Sequence, residues 1–464
     1  MRSFADYLYL TLLSLCGLLM LCSVFVVSPE VVNGTVVGKI SWFNWTMVFF
    51  SFSLLLIVIK KKGNIPFTIT IPDWCILSFL IVVAGSYQWL WNPAPGKVAF
   101  IFQLGVLWFL MRATFQMFPQ VTHFFLFIIM YSGLIEALWG FAQLYNITGS
   151  YHSLFRMTGS FYNPGPYSGY LAIILPITLG LSFYYRRKAQ SAFDPNMVLY
   201  VCTLFCLVLI ITLLPASMSR ASWLAAIVSG IWVLWMELSL TRHLKKLWIT
   251  HRKIMLTAST IALVFVIGAA IGIYFLKKDS ADGRLLMWKI TTNAIMDNSM
   301  MAVGIGGFSQ AYASAQEAYF ASGNASSTEA LVAGSPEYAF NEYLQLMLEE
   351  GIFGFLILIG LIGYCLYAGI KNKRIAACGG LISLAILCFF SYPMQLPSFK
   401  ILAVMLLSLA IMPIRWPFYP RYFKNNQRCA RAIIVFSVIA FLLSSSVTFS
   451  QIGVYSSYHQ WSNL

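Results

Sequence analysis

The sequence predicts an all-α polytopic membrane protein with about 12–13 transmembrane helices and one large helical external loop, and three observations carry that prediction. The first is composition: of 464 residues, 59% are hydrophobic and only 10% charged, with a mean hydropathy of +0.78. Soluble domains run at roughly 45–50% apolar. The second is run length. Apolar stretches of about 20 residues, enough helix to cross a ~30 Å hydrocarbon core, recur between short basic or Gly/Pro/Asn-bearing links. The alternating polarity that marks the strands of a membrane barrel is absent. The third is the placement of Lys and Arg, which gather at alternate links.

Taken in order, residues 1–276 hold nine expected spans, near 7–28, 41–59, 73–91, 98–117, 121–146, 167–185, 196–215, 221–240 and 254–276. Residues 277–340 form an external loop with amphipathic helices. Residues 341–450 hold four more spans, near 341–370, 375–392, 399–414 and 432–450, and residues 451–464 form an external tail. With Arg2 inside, the cytoplasmic links hold Lys60, Lys61 and Lys62; Arg112; Arg186, Arg187 and Lys188; and the basic residues of 242–253, 371–374 and 415–431. Together with Arg2 these are 21 of the 30 Lys and Arg. One span more or fewer would reverse the later links, so the charge pattern supports the count. The net charge of +15 is therefore read as membrane orientation, not nucleic-acid binding. The first apolar stretch is too long for a signal-peptide core and lacks a clear small-residue cleavage site, so it reads as a retained span. None of the nine cysteines falls in a long exported loop, and no spacing resembles a zinc or haem site. Neither a disulfide framework nor a metal or other cofactor is expected.

Polar chemistry concentrates in residues 277–351, which carry nine of the fifteen acidic residues. Three arginines also break the charge bias by lying at external helix ends. A lone external Arg ordinarily snorkels as an interface anchor; three in distinctive settings are harder to dismiss. Arg156 precedes Asn163, Pro164, Gly165 and Pro166, which force a turn before a span. Arg220 lies in SMSRASW, where Ser217 and Ser219 are candidate caps. Arg284 follows Asp282, read as the N-cap of an amphipathic helix with inner stripe Leu285, Trp288, Thr292 and Ile295. Such a helix start would present free N–H groups and a guanidinium to an anion; the alternative is an ordinary capped surface helix. Gly304, Gly306 and Gly307 read as a tight turn and not a dinucleotide loop, because no βαβ unit surrounds them. Residues 321–336 read either as a lid or as a disordered connector.

Asn341, Gln345 and Glu349 recur at i, i+4 and i+8 with Glu342 beside them, so they share one helix face. Ionisable groups at membrane depth are costly unless they meet a cavity or a partner. The stripe should line a space open to the outside; the alternative is a polar seam between helices. Glu136 follows the same logic and could equally pair with an Arg.

In order, Arg156 with GSFYNPGPYSGYLAIILP, then SMSRASWLA, GRLLMWKITTNAIMDNSMMAVGIGGFSQAY and AFNEYLQLMLEEGIFG resemble the O-antigen ligase family: lipopolysaccharide O-antigen ligases, protein O-oligosaccharyltransferases and, more distantly, O-antigen polymerases. The resemblance implies a glycosyltransferase-C-like enzyme of the bacterial inner membrane, with a cytoplasmic N-terminus and a periplasmic active site. It implies metal-independent transfer of a glycan from undecaprenyl diphosphate to an acceptor hydroxyl on lipid A-core, protein or glycan. In the family, arginines matching Arg156, Arg220 and Arg284 engage the donor diphosphate; guanidinium groups suit that role because they stay charged and bind phosphate in a bidentate way. Family ligases usually carry His just before the Asn-Glu pair as the proposed base. Here that position is Phe340, so the base passes to Glu342 or Glu337, with His152 third, and Asn341 and Gln345 are expected to contact substrate. The resemblance also leaves open a polymerase. A flippase that moves a lipid-linked glycan without chemistry is the rival from another class, weakened by the absence of internal repeats.

Overall fold

The computed structural model describes residues 4–86, 94–276, 278–298, 301–323, 325–412 and 427–462, and among them every regular element is helical. The membrane-side elements begin with α1 (Phe4–Cys22), α2 (Gly34–Lys60), α3 (Ile71–Ser86), α4 (Pro95–Met117) and α5 (Val121–Leu144). They continue with α6 (Pro164–Lys188), α7 (Pro195–Ala216), α8 (Arg220–Glu237), a short α9 (Leu240–Thr250) and α10 (Arg252–Leu276). Next come α11 (Lys278–Asp297), α12 (Phe308–Ala321) and α13 (Ser327–Val332), then α14 (Glu342–Lys371), α15 (Ile375–Phe390), α16 (Pro397–Ala410) and α17 (Gln427–Ser462). Each expected span falls on a helix. Among the described residues, α1, α2, α4, α5, α6, α7, α14 and α17 are long and apolar enough to cross a membrane, while α3, α15 and α16 are apolar but shorter.

Two expected boundaries differ. The tail is not a separate segment, because α17 runs unbroken to Ser462, and Tyr455 on it donates to Glu30 Oε1 at 2.7 Å. No proline interrupts 427–462, so nothing ends the helix where the hydrocarbon ends. Helix α2 likewise begins at Gly34, seven residues before the expected start at 41. Arg2, Lys277, the ends expected for the third and twelfth spans, and most of the basic link 415–431 lie outside the described residues.

Helix α6 is the spine of the bundle. Tyr167, Tyr170, Leu171, Ala172, Ile173, Ile174 and Ile177 on it are fully buried, and it packs against α5, α7, α8 and α15. Pro176 lies inside α6 and has no N–H to give the carbonyl four residues earlier. Ser383 of α15 supplies the missing donor, its Oγ reaching Ala172 O at 2.7 Å. Gly180 makes the close approach possible, since a Cβ there would meet Ala376 at 2.8 Å. Small residues allow helix backbones to come this near in a membrane. Ser383→Ala is expected to cost about 1 kcal/mol, the typical net worth of a buried hydrogen bond, read as a lowered thermal midpoint in detergent.

The external loop has its own apolar core, in which Leu286, Ile290, Ala294 and Ile295 of α11 meet Phe308, Tyr312, Ala315 and Tyr319 of α12. This revises the expected inner stripe. Leu285 is 56% exposed and Thr292 is exposed as well, whereas Ile295 is buried and Trp288 packs edge-on against Phe389 at 5.5 Å. The expected cap differs as well: α11 begins at Lys278, so Asp282 sits inside the helix and is not its N-cap.

The candidate lid also proves structured over 325–336. Ser326 and Glu329 form a reciprocal capping box on α13, and the Glu329 carboxylate accepts from Lys289 at 2.9 Å and Tyr319 at 3.0 Å. The Ser326 N–H, then Lys289 and Tyr319, lower the Glu329 carboxyl from 4.5 to about 2. Because the folded value lies below the unfolded one, this stabilisation is present above about pH 4.5 and is lost as pH falls through about 2. Hydrogen exchange of residues 326–332 is expected to accelerate, beyond its intrinsic pH dependence, as pH falls from about 5 to about 2. In Glu329→Gln that extra acceleration disappears.

Candidate active site

Four chain segments converge where α6, α8, α14 and α15 meet the external loop. The first turn of α8 is tied to α6 by a serine chain: Ser168 Oγ to Ser222 Oγ at 2.8 Å and Ser222 Oγ to Ser219 Oγ at 2.8 Å. This fixes half-buried Arg220, the first residue of α8. Neither expected serine cap forms. Ser217 donates back to Leu214 O at 2.6 Å, and Ser219 spends its hydroxyl on Ser222.

Arg284 approaches from α11. It lies in the second turn, so the expected anion site at a free helix start does not exist there. Its Nη1 instead donates to Phe390 O, the last carbonyl of α15, at 2.8 Å. Its guanidinium lies 5.3 Å from the centre of the Phe340 ring, a cation–π contact. Among the described residues no ion pair joins Arg284 to a carboxylate. Burial first, then the charge of nearby Arg220, lowers its pKa from 12.5, with Tyr392 opposing. The Arg220 charge is thus felt at Arg284, beside the last carbonyl of α15.

Phe340 stands where the resembled family has histidine, and its backbone is left-handed (φ 52°). The ring meets Tyr392 edge-on at 4.9 Å, and Tyr392 stacks on Tyr338 at 5.1 Å. Burial raises Tyr392, with Arg284 opposing and Glu337 adding, while burial and then Glu337 push Tyr338 up to about 12. Glu337 itself is exposed, at the rim of this aromatic wall. Gly165, Pro166 and Gly169 at the start of α6 share a small crevice with Tyr392 and Pro393.

The polar stripe turns out to be packed, not open. Asn341, Glu342, Gln345 and Glu349 are 4%, 7%, 2% and 9% exposed. Asn341 caps α14, its Oδ1 accepting from the N–H groups of Tyr343 at 3.0 Å and Leu344 at 3.2 Å. Gln345 Oε1 accepts from Ala339 N at 3.2 Å, leaving Nε2 buried without a partner. Glu342 Oε2 accepts from Gln395 Nε2 at 2.9 Å, and its Oε1 is buried and unpartnered. Glu349 holds the glycine turn: its Oε1 accepts from Gly306 N at 3.1 Å. Val303 N and Gly304 N donate to the carbonyls of Leu348 and Glu349, which lie just before a non-helical break at Gly351 (φ 69°). The glycines therefore form the expected tight turn, and it docks on α14. The stripe is buried because this turn and the segment 393–400 cover it, a tertiary fact that helical spacing alone does not carry.

Arg156 is not drawn into this cluster. It is exposed on loop 145–163, and no hydrogen bond or ion pair among the described residues ties it to Arg220, Arg284 or their neighbours. The loop is held from below by Glu136, whose Oε2 accepts from Ser160 N at 3.1 Å, and by Lys39, which donates to Val24 O and to Ser160 Oγ at 3.0 Å. Glu136 therefore meets the Lys39 charge, a basic partner as in the alternative reading but a Lys and not an Arg. His152 is spent within the same loop: its Nδ1 accepts from Leu154 N at 3.0 Å and its ring packs on Phe155 and Tyr162.

Three neighbours were missed from sequence: Tyr392, Gln395 and Lys400. Lys400 lies within electrostatic reach of Glu342, Glu349 and Glu350. Its signal was present, because Lys400, like Lys39 and Lys97, lies at an end of a span expected to be external and breaks the expected charge bias as the three arginines do.

The comparisons with known proteins bear on the stretch of chain that holds Arg220, Arg284, Phe340 and Glu342. No curated protein matches the chain. Residues 205–359 match the family model described as O-antigen ligase. The match takes in Arg220, Arg284, Phe340, Asn341, Glu342 and Gln345 and leaves Arg156 outside. Over residues 205–359, about a third of the chain, this polytopic helical protein is thus similar to the O-antigen ligase family.

Proposed function

We propose that the protein transfers a glycan from undecaprenyl diphosphate to an acceptor hydroxyl at the periplasmic face of the bacterial inner membrane. In this reading residues 1–276 and 341–450 form the membrane body and 277–340 the periplasmic cap. The observation that supports the proposal is Arg284, bonded to a backbone carbonyl and an aromatic face instead of a carboxylate and within electrostatic reach of Arg220. A diphosphate is a ligand that both could engage, since each guanidinium donates in a fork to phosphate oxygens. Arg156, on its exposed loop, is the further donor contact that would engage once substrate arrives.

In the transfer step the acceptor oxygen attacks the anomeric carbon of the donor sugar. The bond from that carbon to the diphosphate oxygen breaks, and its electron pair leaves with undecaprenyl diphosphate. Arg220 and Arg284 stabilise the charge that develops on the leaving group, an electrostatic role that needs no metal. The hydroxyl proton passes to Glu342, whose Oε1 has no protein partner and whose Oε2 is fixed by Gln395. Glu337, at the rim, is the second candidate for this proton. Asn341 and Gln345 set the start of α14 that carries Glu342.

Phe340 favours a second reading of the acceptor. With an aromatic ring in place of a histidine, a growing glycan is as well suited as lipid A-core or protein Ser/Thr, which would make the enzyme a polymerase. The test incubates the purified full chain with undecaprenyl-diphosphate glycan and each acceptor in turn, with mass spectrometry of the products. A new glycosidic product identifies the acceptor. Donor crossing proteoliposome membranes with no product from any of the three would replace the transferase by a flippase.

A further inference from the structure

A second polar site lies at the opposite end of the same helices. The far ends of α6, α8, α14 and α15 enclose a cavity of about 500 Å³ whose polar wall includes His123, Tyr184, Arg187, Glu237, Lys373 and Arg374. Helix α6 has 25 residues, so at ~1.5 Å per residue the cavity is roughly 35 Å from the arginine pair. Three cations face one carboxylate, a surplus of two positive charges. The carboxylate is engaged by Arg187, whose Nη2 donates to Glu237 Oε2 and to its backbone carbonyl at 3.3 Å. Arg374 is fixed through Met412 O at 2.8 Å and Thr122 Oγ1 at 3.1 Å, while Lys373 is exposed at the lip. His123 stacks on Tyr184 at 4.1 Å, and its Nδ1 is buried with no hydrogen-bond partner. Lys188 covers Tyr184 with its nitrogen 4.6 Å from the ring centre.

Basic residues at one set of helix ends are what membrane orientation alone produces, but on a convex, watery surface. Here they line a concave space, around a buried nitrogen lacking a partner and an apolar floor that includes Leu126, Leu181, Met236 and Ile370. We propose that this cavity binds a phosphate group, and that the apolar floor makes an anionic phospholipid headgroup its best source. Lys373 and Arg187 supply charge, His123 Nδ1 supplies a directed hydrogen bond, and the floor takes the first carbons of the lipid tails. The site is independent of the transfer reaction proposed above.

The test is thermal unfolding of the full chain in detergent, followed by tryptophan fluorescence, against dihexanoyl-phosphatidylglycerol, dihexanoyl-phosphatidylcholine and inorganic phosphate. A saturable rise in midpoint with phosphatidylglycerol and not phosphatidylcholine is expected. In the double variant Arg187→Gln, Lys373→Gln the half-saturating concentration should rise about 25-fold, taking about five-fold per cation near a membrane surface. The same rise with inorganic phosphate would support the site and name free phosphate as a ligand. Equal effects of the two lipids, or wild-type affinity in the double variant, would overturn the proposal. If the variant does not fold, native mass spectrometry of the wild type decides: selective retention of one phosphatidylglycerol supports the site, and equal retention of both lipids removes it.

Discussion

Arg284→Ala is expected to lower glycan transfer about 10²–10³-fold, the loss typical when one preorganised donor to a developing negative charge is removed. The protein should remain folded, because the side chain makes one hydrogen bond, to Phe390 O, and one ring contact, to Phe340. Arg220→Ala should lose a similar factor. Together the two should fall short of the product of the single losses, since both act on one leaving group. Arg284→Lys should recover little, because an ammonium is a point charge that does not reproduce the planar fork against two phosphate oxygens. Initial rates with a fixed undecaprenyl-diphosphate glycan, alongside thermal midpoints, provide the check. Full activity in both alanine proteins would end the diphosphate role.

Glu342→Gln is expected to slow transfer about 10²-fold, the low end for loss of a general base, while changing donor affinity little. Glutamine keeps the volume and a partner for Gln395, so the first turn of α14 should hold. What it removes is an oxygen able to take the hydroxyl proton. Single-turnover rates measured beside donor binding separate the two roles. Equal losses in both would assign Glu342 to the polar seam with Gln395 and Lys400.

Phe340 connects these two predictions. At the position where a histidine would act on the proton, this chain places a ring that supports Arg284 and leans on Tyr392. A residue read only as a missing base thus packs against Arg284 and Tyr392, and in the proposed function it walls the diphosphate site. The role was invisible in sequence because the partners, Arg284 and Tyr392, lie 56 residues before and 52 residues after it.

Helix existence was legible because it rests on local physics. Twenty apolar residues in a row have few alternatives in a bilayer, and alternate basic links fix which ends lie together. The glycine turn at 304–307 was legible for the same reason, as a backbone requirement written into residue type. The side-chain caps were not: Asp282, Ser217 and Ser219 are good caps by type, but α11 already runs from Lys278, and Ser219, though it stands at the N-cap of α8, and Ser217 both give their hydroxyls to other partners. A cap is a competition for hydrogen bonds, and the competitors come from elsewhere in the chain.

The sequence by itself determined the membrane class, the order of the helices, and Arg220, Arg284 and Glu342 as residues out of place for an inert scaffold. Only the tertiary structure decided that the Arg220 charge reaches Arg284 while Arg156 stays exposed on its loop, that the polar stripe from Asn341 to Glu349 is covered, and that Lys400 lies within electrostatic reach of Glu342. The physical reason is range. Hydrophobic length and charge bias act within one helix, whereas burial and charge neighbours are set by which helices pack together, and no spacing along the chain encodes that directly.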